Sequence, residues 1–139
     1  MFGFQTEDAR MTQIIQNVSK SHEVSPDELR FLLSCRSKGK IDFLLVDVRE
    51  MYEYTELSIK GTDLLFPTST IHNNMNELMK YKEQLMIFYC HSSGRTFQMI
   101  HALKRMGLAK IAHLDGGIVE YRGEKLKNAP LPQNINTKG

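Results

Sequence analysis

The sequence predicts an α/β fold built on a mainly parallel sheet. Three observations carry that expectation. Apolar runs rich in branched residues at positions 41–48 and 85–89 read as strands buried on both faces, the habit of parallel sheets. Stretches with apolar residues at helical spacing alternate with them. The chain has 139 residues, 41% hydrophobic and 24% charged, which suits one domain with its own core.

Taken in order, the first helix is expected over residues 6–17. Met11, Ile14, Ile15 and Val18 form one apolar stripe, Thr6 can cap the start, and Glu7 and Asp8 suit the positive end of the helix dipole. The second helix opens at Ser25-Pro26-Asp27-Glu28, which supplies a capping serine, a proline at the first helical position and the glutamate of a capping box. Leu29, Leu32 and Leu33 follow on one face, and Ser37-Lys38-Gly39-Lys40 closes it as a polar loop. After the strand at 41–48, a short strand fits 64–66, closed by Pro67. Helical spacing returns at Ile71, Met75, Leu78 and Met79. The strand at 85–89 leads to a helix at 95–106, with Phe97, Ile100, Leu103 and Met106 expected inward and Gly107 as its stop. A strand at 111–114 meets Asp115-Gly116-Gly117, which turns into a short final helix. The segment 130–139 carries Pro130 and Pro132 and is expected to be a flexible tail. No internal repeat is visible, nor a linker before Ala129, so residues 1–139 read as a single domain.

Several classes are excluded. The longest apolar run is six residues, Leu85 to Cys90, too short to span a bilayer. The N-terminus meets Glu7 and Asp8 at once, without the basic and apolar regions of a secretory signal, so a cytoplasmic location is expected. The net charge is +2, with 18 basic and 16 acidic residues mixed along the chain, which argues against nucleic acid and membrane surfaces as partners. The two cysteines, Cys35 and Cys90, make no disulfide framework and are expected as free thiols.

The chemistry concentrates in Cys90-His91-Ser92-Ser93-Gly94-Arg95-Thr96, which leaves a buried strand and enters a helix. A tight loop there points backbone N–H groups and the positive end of a helix at one spot. A cysteine at its start would be favoured as the thiolate. His91 and Arg95 add polarisable or positive groups, and Ser92, Ser93 and Gly94 are small enough to let an anion approach the backbone. The plain alternative is a buried structural cysteine, a common role for a free thiol. The Ser-Ser-Gly-Arg flank argues against it.

At this point the sequence resembles the rhodanese-like sulfurtransferases. Val24-Ser25-Pro26-Asp27-Glu28-Leu29 is similar to the family's first helix entry. Leu45-Val46-Asp47-Val48-Arg49-Glu50, with Glu53-Tyr54 after it, resembles its Asp-Val-Arg-Glu segment. Cys90 to Arg95 has the form of its six-residue active loop. Leu114-Asp115-Gly116-Gly117-Ile118 resembles its closing Gly-Gly motif, with Tyr121 where tryptophan is usual. The resemblance covers roughly residues 24–131. It implies a rhodanese-like α/β fold, with a central mainly parallel sheet of about five strands flanked by helices on both faces. It also implies a cofactor-free sulfurtransferase. Cys90 would take the outer sulfur of an anionic donor such as thiosulfate as a persulfide, and a thiol, cyanide or a sulfur-relay protein would collect it. His91, Ser92, Ser93, Gly94, Arg95 and Thr96 would bind the donor, and Asp47 and Arg49 would brace the loop or flank its entrance. Two departures stand out. His91 occupies a position where many members carry arginine, and Leu57-Ser58-Ile59-Lys60-Gly61 replaces the family's Gly-His-Ile segment.

Two rivals remain. A cysteine phosphatase or arsenate reductase needs five residues between cysteine and arginine, and here four separate Cys90 from Arg95. A non-catalytic rhodanese-like regulatory or interaction module commonly lacks the cysteine, which is present here. Other residues read plainly. Cys35 follows a helix and lacks an activating helix N-terminus. Arg49 and Glu53 stand at the spacing of a helical ion pair. The five histidines show no metal spacing, and His101 and His113 read as packing or surface residues.

Overall fold

The computed structural model describes residues 5–135. The chain runs through α1 (Glu7–Ser21), β1 (Glu23–Val24), α2 (Pro26–Ser37), β2 (Leu44–Asp47), α3 (Met51–Glu56), β3 (Ser58–Ile59) and β4 (Leu64–Leu65). A 3-10 turn at Ile71–Asn74 continues into α4 (Met75–Met79), followed by β5 (Met86–Tyr89), α5 (Gly94–Arg105), β6 (Ile111–Leu114), α6 (Gly117–Glu120) and β7 (Lys125–Leu126). Five strands form one sheet in the order β1-β6-β5-β2-β4, every neighbouring pair parallel. Strands β3 and β7 pair antiparallel in a separate two-stranded ribbon.

The alternation along each strand divides the core in two. Leu45, Ile87, Tyr89, Ala112 and Leu114 face a cluster with Ile14 and Val18 of α1 and Leu29 and Leu32 of α2. Val46, Met86, Phe88 and Ile111 face a cluster with Leu78 of α4 and Ile100 and Leu103 of α5. The sheet is thus buried on both sides, which is why its strands read as continuous apolar runs.

The start signals act as the sequence implies. Thr6 accepts the Ala9 N–H and caps α1, which runs four residues beyond the expected end, to Ser21. Ser25 and Glu28 close a reciprocal capping box at 3.1 and 2.8 Å. One expectation for α5 fails. Phe97 and Met106 are exposed, while Ile100 and Leu103 are buried. A three-residue repeat falls about 60° short of a full turn at each step, so the outer members of such a series swing off the core face.

Strands β1, β3 and β7 go beyond the sequence expectation; each is two residues long and lacks the apolar run that marks β4. Residues 130–135, expected in a flexible tail, touch the domain. The Tyr54 hydroxyl donates to the Pro130 carbonyl at 3.2 Å. The Asn134 side chain pairs with the Leu65 backbone N–H at 3.0 Å and carbonyl at 2.7 Å, covering the open edge of β4. Residues 136–139 of that tail lie outside the described residues. No helix among the described residues is long and apolar enough to cross a membrane.

Candidate active site

The central strands β2 and β5 lie side by side, and their chains leave in opposite directions, β2 toward β4 and β5 toward β6. In open parallel sheets the crevice at such a divide, beyond the carboxyl ends of the strands, is where ligands bind. Cys90 stands there, one residue past β5.

Its sulfur is held from two sides. The Ser93 backbone N–H donates to Cys90 Sγ at 3.2 Å, and the Thr96 hydroxyl lies 3.6 Å from it. Ser93 can aim its amide this way because its φ is +86°, the left-handed region that a serine occupies at a cost of about 1–2 kcal/mol. Gly94 then begins α5, so the sulfur sits against the positive end of a twelve-residue helix. His91, Ser92 and Gly94 are exposed around it, and Cys90 itself is 1% exposed.

Arg95 does not reach over the loop as an unpaired cation. Its guanidinium forms a two-pronged pair with Glu53 of α3, Nη1–Oε1 and Nη2–Oε2 both at 3.1 Å. The Arg95 hydrogen bonds hold the Glu53 carboxyl below the usual carboxylate range, with burial opposing. This pair spans the crevice from the helix after β2 to the helix after β5. It replaces the expected Arg49–Glu53 pair. Arg49 precedes α3, whose first residue is Met51, so the two are not on one helical face.

Arg49 turns instead to Asp47. Its backbone N–H donates to Asp47 Oδ1 at 2.8 Å, its Nε to both carboxylate oxygens at 3.1 and 3.2 Å, and its Nη2 to Oδ2 at 2.8 Å. Nη2 also donates to the Leu57 carbonyl at 2.6 Å, and the guanidinium lies over the Tyr89 ring, 5.5 Å from its centre. Asp47 is fully buried and Arg49 4% exposed. Burial pushes the Asp47 carboxyl upward, and the Arg49 hydrogen bonds and charge oppose it. Four hydrogen bonds from Arg49, three of them from its guanidinium, hold it as the anion of a buried pair. Tyr89 directly precedes Cys90, so the pair braces the strand that carries the sulfur.

The Gly-Gly turn packs backbone against backbone on the Cys90 loop. Ile118 N–H donates to the Cys90 carbonyl at 2.9 Å and Val119 N–H to the His91 carbonyl at 3.1 Å. A Cβ on Gly117 would stand 2.3 Å from the His91 oxygen and 2.7 Å from the Cys90 oxygen, and its φ is +65°. Glycine is required there for the approach and for the conformation.

His113, expected as a packing or surface residue, lies against this site. It is 6% exposed, and its Nδ1 lies 3.0 Å from Thr96 Oγ1. The signal was the strand alternation: Ile111 and His113 share the α5 face of β6, and Phe88, beside His113 in register, is two residues before Cys90. Cys35 is buried within α2, at the opposite end of the sheet, and burial pushes its thiol up, toward the neutral form. Among the described residues no group of three or more His, Cys, Asp or Glu is placed to hold a metal ion.

The family model for the rhodanese-like domain matches residues 25–124. Among curated relatives, the chain is 29% identical over 103 residues to the "Probable adenylyltransferase/sulfurtransferase MoeZ" of Mycobacterium tuberculosis, covering 74% of this chain and 25% of that protein. It is 30% identical over 88 residues to the uncharacterized protein YibN of Escherichia coli K12, covering 63% of this chain and 62% of YibN. The chain therefore spans only a quarter of the first of these. Among solved structures, the thiosulfate sulfurtransferase of Pseudomonas aeruginosa superposes with a TM-score of 0.67 at 17% identity, covering 88% of this chain and 23% of that one. A rhodanese-like domain protein of Staphylococcus aureus superposes with a TM-score of 0.59 at 22% identity, covering 73% and 92%. At these identities the two structures speak to the fold alone.

Proposed function

Because this chain belongs to the rhodanese-like domain family, we propose that it is a sulfurtransferase working through a persulfide on Cys90. One observation carries the reading: the Cys90 sulfur lies within 3.2 Å of a backbone N–H at the first turn of a long helix. Such a donor can hold the negative charge that sulfur carries as the attacking nucleophile and then as a persulfide.

In the first step the Cys90 thiolate attacks the outer sulfur of thiosulfate or a similar anionic donor. The donor's sulfur–sulfur bond breaks and sulfite leaves with the electron pair. In the second, cyanide or a cellular thiol attacks the outer sulfur of the persulfide, and the Cys90 thiolate is restored. His91, Ser92, Ser93 and Gly94 form the wall that the donor meets, while Thr96, expected there as well, is buried behind Cys90 and touches only its sulfur side. Arg95 holds the loop through Glu53 and supplies positive charge at its edge. Asp47 and Arg49 keep the supporting strand in place. No cofactor or metal enters the scheme. The similarity to a protein named a sulfurtransferase supports a sulfur-relay setting, with a sulfur-relay protein as the acceptor. A cytoplasmic location fits this thiol chemistry.

The test is the intact mass of the purified protein after incubation with thiosulfate, and then with polysulfide. The expected result is a gain of one sulfur atom that Cys90→Ser abolishes while its unfolding curve stays near wild type. No gain with either donor, or an unchanged gain in Cys90→Ser, overturns the reading. A module without catalysis is favoured by one observation, the near-complete burial of Cys90, and the first of those results would support it.

A further inference from the structure

Behind Cys90, on the side away from the exposed loop, a line of polar groups crosses an otherwise apolar core. Thr96 Oγ1 lies 3.6 Å from Cys90 Sγ and 3.0 Å from His113 Nδ1, and His113 Nε2 lies 3.8 Å from Glu23 Oε2. Cys90 and Thr96 are buried, and the Glu23 side chain is 45% exposed. The line therefore connects a buried sulfur to a carboxylate at the surface.

The Thr96 hydroxyl has one proton and three acceptors around it: Cys90 Sγ, His113 Nδ1 and the Ser93 carbonyl at 3.2 Å. The state of the His113 ring decides where that proton points. With Nδ1 bare, the ring competes for it. With Nδ1 protonated, the ring donates to Oγ1 and leaves the hydroxyl free to donate to sulfur.

We propose that His113 is a positioning residue that draws off the Cys90 thiol proton through Thr96 and then holds the Thr96 hydroxyl on the resulting thiolate. The proposal rests on the reading of Cys90 as the nucleophile. The Cys90 S–H bond breaks and its proton goes to Thr96 Oγ1, while the Thr96 proton passes to the Nδ1 lone pair. The electron pair stays on sulfur, and nothing is oxidised or reduced. The imidazolium then faces Glu23 and releases its Nε2 proton to water at the surface. What remains is a ring protonated at Nδ1, a hydroxyl aimed at sulfur, and a thiolate.

The surroundings agree with a ring that starts neutral. Burial pushes the His113 imidazole below its usual value, Glu23 on β1 and Asp115 at the end of β6 pull it back, and His101 on α5 adds to the lowering. Phe97 of α5 packs on the same ring at 6.1 Å between centres.

The experiment is the pH dependence of Cys90 alkylation by iodoacetamide, followed by peptide mass spectrometry so that Cys35 is read separately. In His113→Asn the midpoint is expected to move to higher pH by about one unit, a tenfold smaller reactive fraction at neutral pH, with the alkaline plateau unchanged. Thr96→Val moves the midpoint the same way, and Thr96→Ser restores it. Glu23→Gln, at an exposed position, gives a smaller shift in the same direction. A His113→Asn profile that superimposes on wild type overturns the proposal. If that variant fails to fold by circular dichroism, an unshifted Glu23→Gln profile overturns it instead. Alkylation needs no sulfur donor. A wild-type protein that takes up no sulfur but whose midpoint moves in His113→Asn refutes the sulfurtransferase reading and keeps the relay.

Discussion

Replacing Arg49 by alanine probes the support under the reactive loop. The substitution leaves the Asp47 carboxylate fully buried and strips it of the Arg49 guanidinium, along with the bond to the Leu57 carbonyl and the contact over Tyr89. The backbone N–H of residue 49 survives, so three of the four hydrogen bonds from Arg49 to Asp47 are lost. Breaking a buried pair from one side costs about 3–5 kcal/mol, against a total stability of about 5–15 kcal/mol for a domain. Arg49→Ala is therefore expected to fold but to unfold at much lower urea. The pH dependence identifies the cause. Burial raises the Asp47 carboxyl even beside Arg49, and without that partner it rises further above its ordinary value of 3.8. Between that value and the raised one, the folded state binds the extra proton. The variant therefore loses stability as pH rises and regains it as pH falls. The deficit should be largest near neutrality and shrink as the pH falls toward the ordinary carboxylate range. Urea titrations of both proteins at several pH values measure this. A deficit below about 1 kcal/mol at neutral pH, or one that does not change with pH, would refute the argument that Asp47 is an anion held by Arg49.

Other expectations are more direct. Gly117→Ala drives a methyl group into the His91 and Cys90 carbonyls; sulfur uptake should fall at least about tenfold, and wild-type uptake would show that the Gly-Gly turn does not shape the loop. Arg95→Ala should depress sulfur transfer strongly while shifting stability by only about 0–1 kcal/mol, since the Arg95–Glu53 pair is partly solvated, as a rate assay beside a melting curve would show. Ser93→Gly relieves the left-handed serine and should raise stability by up to about 1 kcal/mol with the loop intact, measured by urea unfolding. Wild-type stability should decline as pH falls below about 6.5, because His113 is held neutral in the folded state and takes a proton more readily once unfolded. His113→Asn should flatten that part of the curve.

The parts of this protein whose physics is local can be read from its residues alone. The capping box at Ser25 and Glu28 needs only neighbouring residues. The buried runs at β2 and β5 announce a parallel sheet because no face of them can meet water. The Cys90 loop was legible because its sulfur, small residues and helix start are contiguous. The remaining features arise from packing between distant segments. The two-residue strands β1, β3 and β7 lack the apolar run and closing proline that mark β4, carry no periodic signal, and exist only because a partner strand is present. The choice of Asp47 for Arg49 and of Arg95 for Glu53 depends on where side chains point as the chain leaves two adjacent strands. The same holds for Gly117, whose glycine requirement is set by a loop 26 positions away in the chain, measured from His91. It holds as well for His113, which joins the site through a single threonine on another element. Sequence spacing records contacts along a helix or a strand. It carries no record of which distant groups the packed sheet brings within hydrogen-bond reach.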